Sequence, residues 1–248
     1  PFAFTGNKFE FRMVGSSDCI ANSNIVINTI IAEAFSEAAD CLEGSGDLVR
    51  DASRVIAENL RKHSRVIFNG NGYSEEWVKE AARRGLPNLP SMVSAIPSLT
   101  TEKAEKLFGR FGVFTRSELE SRSEIMYETY AKVTGIEART MIHMASKHYI
   151  PAVVRYTARL ADSICKVRNA CPQATTAVQE HLLMQTSSLL EQASDALDAL
   201  KEDMAHCNAL ECVPEMAKYC HDVVTPAMKA LREPIDRLEL LVDKAIWP

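Results

Sequence analysis

Apolar residues recur every three or four positions through most of this chain, and this period predicts a largely helical protein. In the second half the periodic segments are long. They predict helices from Thr115 to about His148, from Thr175 to about Asn208 and from Pro214 to Trp247. A helix of about 34 residues extends roughly 50 Å and cannot bury an apolar stripe alone. We therefore expect these helices to pair as an antiparallel bundle.

Several local signals set helix ends in this half. Thr115 and Glu118 form a capping-box pattern, which predicts that the first long helix starts there. Pro151 is expected either to restart or to kink the helix that follows. Pro226 and Pro234 are expected to bend or interrupt the last helix.

The first half predicts shorter helices. Asn22, Ser23 and Asn24 offer N-cap side chains for one helix, and a second runs from about Asp47 to His63. The apolar stripes expected to face the core are Ile27, Ile30, Ile31, Phe35 and Ala38 on the first helix, and Val49, Ser53, Ile56 and Leu60 on the second.

The opening segment has a different period. Phe9, Phe11 and Met13 alternate with Lys8, Glu10 and Arg12, as in a strand with one apolar and one polar face. Glu10 and Arg12 are thus predicted to share the polar face. An exposed surface ion pair is one interpretation, and a functional pair is the other.

Composition narrows the function classes. The formal charge of −5 gives no reason to expect a nucleic-acid partner, and no apolar run is long enough to span a bilayer. No secretory signal is visible. The chain begins at Pro1 on what looks like a functional strand, and this suggests a fragment of a longer protein.

The seven cysteines show no Cys-x-x-Cys spacing. The nearest cluster is formed by His206, Cys207, Cys212, Cys220 and His221, whose spacing along a helix does not align metal ligands on one face. Reduced, mostly buried thiols are the favoured interpretation, and a metal site is the alternative. Reduced thiols point to a cytoplasmic protein.

The segment 69–72, with sequence Asn-Gly-Asn-Gly, could contact phosphate or could form a tight turn before a helix starting near Ser74. It lacks the Lys-Ser/Thr that follows the glycines of a P-loop.

Four groups of residues carry a resemblance to a known family. They are the segment 7–17 together with 21–24, the segment 66–74, the segment 81–88, and 112–115 with the run from Tyr127 through Arg155. The sequences of these segments resemble the end of the glutamine synthetase catalytic domain, as it occurs in the type III branch of that family. The resemblance implies a mainly α chain that is the C-terminal fragment of an α+β catalytic domain. It would contain one short active-site strand, then helices and a long-helix bundle.

The implied domain organisation has two parts. Residues 1–112 would end the catalytic domain, and residues 113–248 would form the type III C-terminal bundle. The family has an asparagine at the entry of the helix after the strand. Asn24 matches it best, although a helix cap is the favoured role.

The resemblance also implies a function: ATP-dependent synthesis of glutamine from glutamate and ammonia through a γ-glutamyl phosphate. In the family the glutamate of this strand binds the active-site metal, Mg²⁺ or Mn²⁺, and the arginine contacts glutamate and the transferring phosphoryl group. These roles fall on Glu10 as metal ligand and on Arg12 as catalytic and substrate-binding residue. The family forms ring-shaped homo-oligomers, and the fragment alone is expected to be inactive. The alternative is a non-catalytic helical-bundle scaffold or interaction module.

Overall fold

The computed structural model describes the backbone of residues 2–4 and 9–11 and the complete residues 19–248. Most of these residues are helical, so the mainly α prediction is confirmed. The α-helices are α1 (Ala21–Leu42), α2 (Leu48–Lys62), α3 (Glu75–Arg83), α4 (Met92–Ala95), α5 (Glu102–Arg110), α6 (Arg116–Met144), α7 (Ile150–Ala170), α8 (Ala177–Asn208), α9 (Val213–Tyr219) and α10 (Thr225–Glu239). Short 3₁₀-helices cover Ser64–Val66 and Ile96–Thr100.

The opening segment contains the predicted strand and a partner for it. Strand β1 (Phe2–Phe4) pairs in antiparallel fashion with strand β2 (Phe9–Phe11), and Ala3 lies opposite Glu10. The predicted strand therefore exists, and its backbone is paired along one edge within the chain itself.

The chain divides into two compact units, one ending at Glu120 and the other beginning at Ser121. This boundary falls inside α6 rather than in a connection between elements, so the proposed domain boundary at residue 112 stays a prediction.

In the first unit, α1 packs against α2 and α5. Arg110 near the end of α5 reaches across to α1, where its guanidinium donates to the Glu33 carboxylate at 2.8 Å and to the Ser36 hydroxyl at 2.9 Å. Among residues 19–120 of this unit, few are buried: Thr29, Val55, Ile96, Phe108, Leu119. Polar contacts thus supplement a small apolar core here.

Helix ends in the first unit follow their local sequence. Asp47 caps α2 by accepting a hydrogen bond from the Arg50 N–H at 3.1 Å. Helix α3 ends at Gly85, whose φ of +66° suits glycine, and the Leu86 N–H bonds to the Ala81 carbonyl at 2.9 Å. The prediction for α1 was wrong in one respect. Ile20 is its N-cap residue and Asn24 lies within the first turn, so Asn24 is not the cap.

In the second unit, α8 packs against both α7 and α10. Residues 171–176 connect α7 to α8, and so short a connection makes the two helices antiparallel neighbours. Arg168 fixes this corner by hydrogen bonds to Thr176 and Glu180. The buried face of α8 has the predicted helical spacing: Thr186, Leu189, Ala193, Leu197, Leu200, Met204, Cys207. The long-helix bundle is therefore confirmed.

Of Pro151, Pro226 and Pro234, the first two follow a π-turn, in which the helix widens by one residue. The π-turns are Ala145–Tyr149 before Pro151 and Cys220–Val224 before Pro226. Proline lacks an N–H and its ring crowds the carbonyl four residues earlier, and the wider turn relieves both problems. The Thr225 hydroxyl donates to the Cys220 carbonyl at 2.9 Å. Helix α10 continues through the buried Pro234, so of the two effects predicted there, a bend or an interruption, the interruption is excluded.

The apolar stripes predicted for the first-half helices do not face a core within the described chain. Phe35 of α1 is 72% exposed and Val49 of α2 is 79% exposed, while the buried residue of α2 is Val55. On α6, Leu119 is buried near the start, whereas further along the small residues Ala131 and Ala138 are buried and the larger Val133 and Ile136 are exposed. The period correctly predicted the helices, whereas the buried faces depend on what packs against them.

Candidate functional site

The structure places one of the two predicted active-site residues within described backbone. Glu10 is the middle residue of β2. Arg12 lies outside the described residues. The roles of Glu10 and Arg12 therefore stay predictions.

The described residues do not include a group of side chains suited to binding a metal ion with three or more protein ligands. Within them, no cluster of three or more His, Cys, Asp and Glu side chains could hold a metal ion. The cluster singled out in the sequence divides between separate contacts. His206 packs on the Tyr219 ring at 4.8 Å, and His221 bonds to Asp222 through Nδ1 at 2.7 Å.

Two cysteines of that cluster meet in the core of the second unit. The sulfurs of Cys207 and Cys220 lie 3.3 Å apart, and both residues are buried. Burial, with a contribution from Cys207, raises the pKa of the Cys220 thiol to about 12. This thiol is protonated near neutral pH and is a poor nucleophile. The other five cysteines are exposed in the chain, so the prediction of mostly buried thiols is wrong.

The densest polar arrangement in the first unit surrounds Arg84, just past the end of α3. We call Arg84, Glu80, Phe68 and Trp77 the Arg84 cluster. The Arg84 guanidinium donates to the Ile67 carbonyl at 2.8 Å and to Glu80 at 2.5 Å. It also lies 5.6 Å from the centroid of Trp77, whose ring stacks on Phe68 at 4.3 Å.

The Arg84 cluster holds the irregular segment 65–74 against α3, because the hydrogen bonds of Arg84 to the Arg65 and Ile67 carbonyls join residues 19 and 17 positions apart. Hydrogen bonds from Arg83 and Arg84 lower the pKa of Glu80 from 4.5 to about 2. Glu80 is thus ionised at all physiological pH values and does not exchange protons there. The cluster is suited to positioning a loop rather than to acid–base chemistry.

Sequence reasoning missed this cluster, although part of the signal was present. Glu80 precedes Arg83 and Arg84 by three and four residues, which is the spacing of ion pairs on a helix. The stacking of Phe68 on Trp77 had no such signal, since the two residues lie on different elements.

The loop 69–72 is organised by side-chain and backbone bonds. Asn71 accepts a hydrogen bond from the Tyr73 N–H at 3.0 Å, and Ser74 caps α3. Gly70 and Gly72 do not adopt a positive φ. Gly70 is needed for a different reason, because a Cβ there would come within 2.6 Å of the Phe68 ring. Local contacts therefore account for this loop as a turn.

The surface grooves of the second unit include two that lie between its helices. The larger, of about 510 Å³, lies between α8 and the end of α10 and is lined by His181, Gln185, Arg237 and several apolar side chains. The smaller, of about 340 Å³, has Met144, Tyr149 and Trp247 among its walls. Neither brings together an acid and a base with shifted pKa values. No helix in the described part of the chain has both the length and the apolar character needed to cross a bilayer.

The matching family model and the similar proteins are all glutamine synthetases. The family model described as the glutamine synthetase C-terminal domain matches residues 51–168, a range that includes the Arg84 cluster. The type-3 glutamine synthetase of Dictyostelium discoideum is 34% identical over 264 residues and aligns with 100% of this chain. The glutamine synthetases of Bacteroides fragilis (strain YCH46) and Butyrivibrio fibrisolvens are 33% and 34% identical and align with 100% and 98% of it. The chain spans 35% of the length of each of these relatives.

Proposed function

The chain belongs to the glutamine synthetase family, and from this we propose that it forms part of an ATP-dependent ligase that makes glutamine. In the proposed reaction the side-chain carboxylate of glutamate attacks the terminal phosphorus of ATP and releases ADP. The resulting γ-glutamyl phosphate has a good leaving group on its carbonyl carbon. Ammonia attacks that carbon, and phosphate and a proton leave as the amide forms.

One observation carries this proposal. The similarity at 34% identity extends over the whole chain, so it includes the opening segment with Glu10 and Arg12 as well as the helices. Similarity confined to the bundle would have supported a scaffold equally well.

Glu10 is proposed as one ligand of the divalent cation, Mg²⁺ or Mn²⁺. Such a cation, when bound, neutralises phosphate charge and polarises the phosphoryl group. A carboxylate suits it chemically, yet hard cations take several oxygen ligands. The described residues offer no grouped set of such ligands, so they do not complete the site, and we assign no catalytic step to the metal.

Arg12 is proposed to contact the substrate glutamate and the transferring phosphoryl group. Its guanidinium is planar and permanently charged, and it can donate two parallel hydrogen bonds to a carboxylate or phosphate. Such a contact holds the two reacting groups in line, which lowers the entropic part of the barrier. Residues two apart on a strand face the same side, as sharing one site requires.

The remaining parts of the proposal concern the whole protein. We propose that the other active-site groups, including those that bind ATP, belong to a longer polypeptide, and that the 248-residue chain alone is inactive. We further propose a cytoplasmic homo-oligomer with a ring assembly.

The test is an activity assay on the longer polypeptide that carries this chain. Glu10→Ala is expected to abolish glutamine formation at saturating Mg²⁺ while leaving the helical circular dichroism signal unchanged, because the change removes a ligand and not a core contact. Glu43→Ala, at an exposed acidic residue after α1, is the matched control and should keep parental activity. Activity of Glu10→Ala within a few-fold of the parent would refute the assigned role.

A further inference from the structure

Two histidines face each other on the outside of the first π-turn. His143 lies at the end of α6 and His148 lies within the turn Ala145–Tyr149. Their ring centroids are 5.6 Å apart, and the rings meet edge to face at an interplanar angle of 67°. Both residues are exposed.

The π-turn explains why residues five positions apart can meet. In a regular α-helix of 3.6 residues per turn, such residues point about 140° away from each other. A π-turn joins residues five apart by its hydrogen bonds and so brings them to the same face. Ala145 anchors the turn, since it is completely buried on the inner side. The Ser146 hydroxyl donates to the Ile142 carbonyl at 2.6 Å and so supports the turn further.

Both imidazole rings have their nitrogens available. Among residues 19–248, neither ring takes part in a hydrogen bond or an ion pair, and their contact is with each other. Imidazole nitrogen is a good ligand for zinc, nickel and copper, at about 2.0–2.1 Å from the metal. Two rings at this separation can turn toward one ion between them.

The surrounding charges favour such ions over hard cations. No Asp or Glu occurs between residues 138 and 161, so the carboxylate oxygens that Mg²⁺ requires are missing from this stretch. Arg139 lies one turn before His143. Its guanidinium lies against Gly135, because a Cβ placed on residue 135 would be 3.4 Å from the nearest guanidinium nitrogen. Lys147 is an exposed neighbour, and its repulsion of a cation is weakened by water and salt.

We propose that His143 and His148 form a chelating site for one borderline divalent transition-metal ion, with water completing its coordination. This site uses nitrogen ligands, whereas the hard-cation site proposed for catalysis uses carboxylate oxygen. Metal binding joins the end of α6 to the π-turn, and it therefore stabilises this widened form of the helix.

The experiment is calorimetric titration of the 248-residue chain with Ni²⁺ in millimolar Mg²⁺. The cysteines are alkylated beforehand, because five of them are exposed and thiols also bind nickel. The parent should bind one equivalent of Ni²⁺. His143→Ala and His148→Ala should each weaken that binding by about tenfold or more, which is about 1.4 kcal/mol, because chelation needs both rings.

His181→Ala, at an exposed histidine on α8, is the matched control and should bind Ni²⁺ like the parent. Circular dichroism establishes that each variant is folded. As a second measurement, saturating Ni²⁺ should raise the unfolding temperature of the parent and of His181→Ala, but not that of the two site variants. The proposal would be overturned if either His143→Ala or His148→Ala kept the parental Ni²⁺ affinity. Equal Ni²⁺ binding by the parent and by the variant that carries both substitutions would also overturn it.

Discussion

At the scale of single residues, the pair Cys207 and Cys220 shows how burial changes the chemistry of a side chain. Both sulfurs lie in the core of the bundle, where α8 meets the second π-turn. Desolvation disfavours the charged thiolate, and the nearby Cys207 sulfur adds to this effect, so the Cys220 pKa rises from 9.0 to about 12. The pair therefore acts as apolar packing near neutral pH.

This shift predicts a pH dependence of stability. The Cys220 pKa is higher in the folded than in the unfolded chain, so unfolding releases a proton between about pH 9 and 12. The contribution of Cys220 to the free energy of unfolding is complete below pH 9 and is lost as the pH rises toward 12. In urea unfolding the parent should therefore be more stable than Cys220→Ala by about 1 kcal/mol at pH 7, and this advantage should fall as the pH rises above 9. Cys212→Ala, at an exposed thiol, should parallel the parent, and a constant difference between Cys220→Ala and the parent would contradict the assignment.

Arg12 is the residue whose chemistry depends most on shape. Arg12→Lys keeps the positive charge but loses the planar fork that grips two oxygens at once. In the longer polypeptide we expect the turnover number to fall by at least about 100-fold, since the lost contact acts on the transferring group. The unfolding temperature should change little. Near-parental turnover combined with a large loss of stability would instead support the surface ion-pair interpretation.

At the scale of elements, the Arg84 cluster shows how one side chain holds an irregular segment. Arg84 and Arg83 share Glu80 as a partner, but only Arg84 also reaches the carbonyls of Arg65 and Ile67. Its guanidinium lies close to the Phe68 and Trp77 rings as well. The position of the segment 65–74 therefore depends on Arg84.

Arg84→Ala is expected to destabilise the first unit by about 1–2 kcal/mol, because two backbone carbonyls lose a charged donor and the aromatic stack loses its cover. Hydrogen exchange of the amides in 66–74 should accelerate first. Arg83→Ala is the matched control, since it removes an exposed ion pair, and its effect on stability should be much smaller than that of Arg84→Ala. Equal effects of the two substitutions would show that the loop contacts of Arg84 add nothing.

The prolines of the bundle belong to the same scale. Pro151 and Pro226 each follow a π-turn, whereas Pro234 lies within a regular helix. A proline in a helical pattern thus signals a local disturbance without specifying its form. At the second π-turn, for example, the Cys220 carbonyl accepts from both the Thr225 N–H and the Thr225 hydroxyl, the latter at 2.9 Å.

At the scale of the whole molecule, the chain contains a well-packed second unit and a first unit in which few of the described residues are buried. Large apolar side chains of α1 and α2 are exposed, among them Phe35, Val49 and Ile56. The chain spans 35% of the length of its relatives. The proposed active site accordingly draws on more groups than the described residues provide.

The proposal that this chain alone is inactive predicts its binding properties. Calorimetric titration of the purified chain with Mg²⁺ and ATP should give no saturable heat, because Glu10 is a single carboxylate and a hard cation needs several oxygen ligands. Circular dichroism should show a folded helical protein under the same conditions. Saturable binding of Mg²⁺ or ATP in the micromolar range would mean that the site is more complete in this chain than proposed.

The sequence by itself determined where α6 begins and how far α8 extends. The capping box of Thr115 and Glu118 starts α6 as predicted, and the period of apolar residues predicted α8 closely. These features depend on neighbours within a turn or two, and such neighbours can be identified in the sequence itself.

Only the tertiary structure decided which faces are buried and which distant residues meet. The period places Val49, Ile56 and Leu60 on one stripe of α2, but the stripe is exposed and Val55 is buried. Burial depends on what packs against a helix, and the helix sequence does not contain that information. For the same reason the contact of Phe68 with Trp77, the Cys207–Cys220 pair and the His143–His148 pair emerged only from the folded chain.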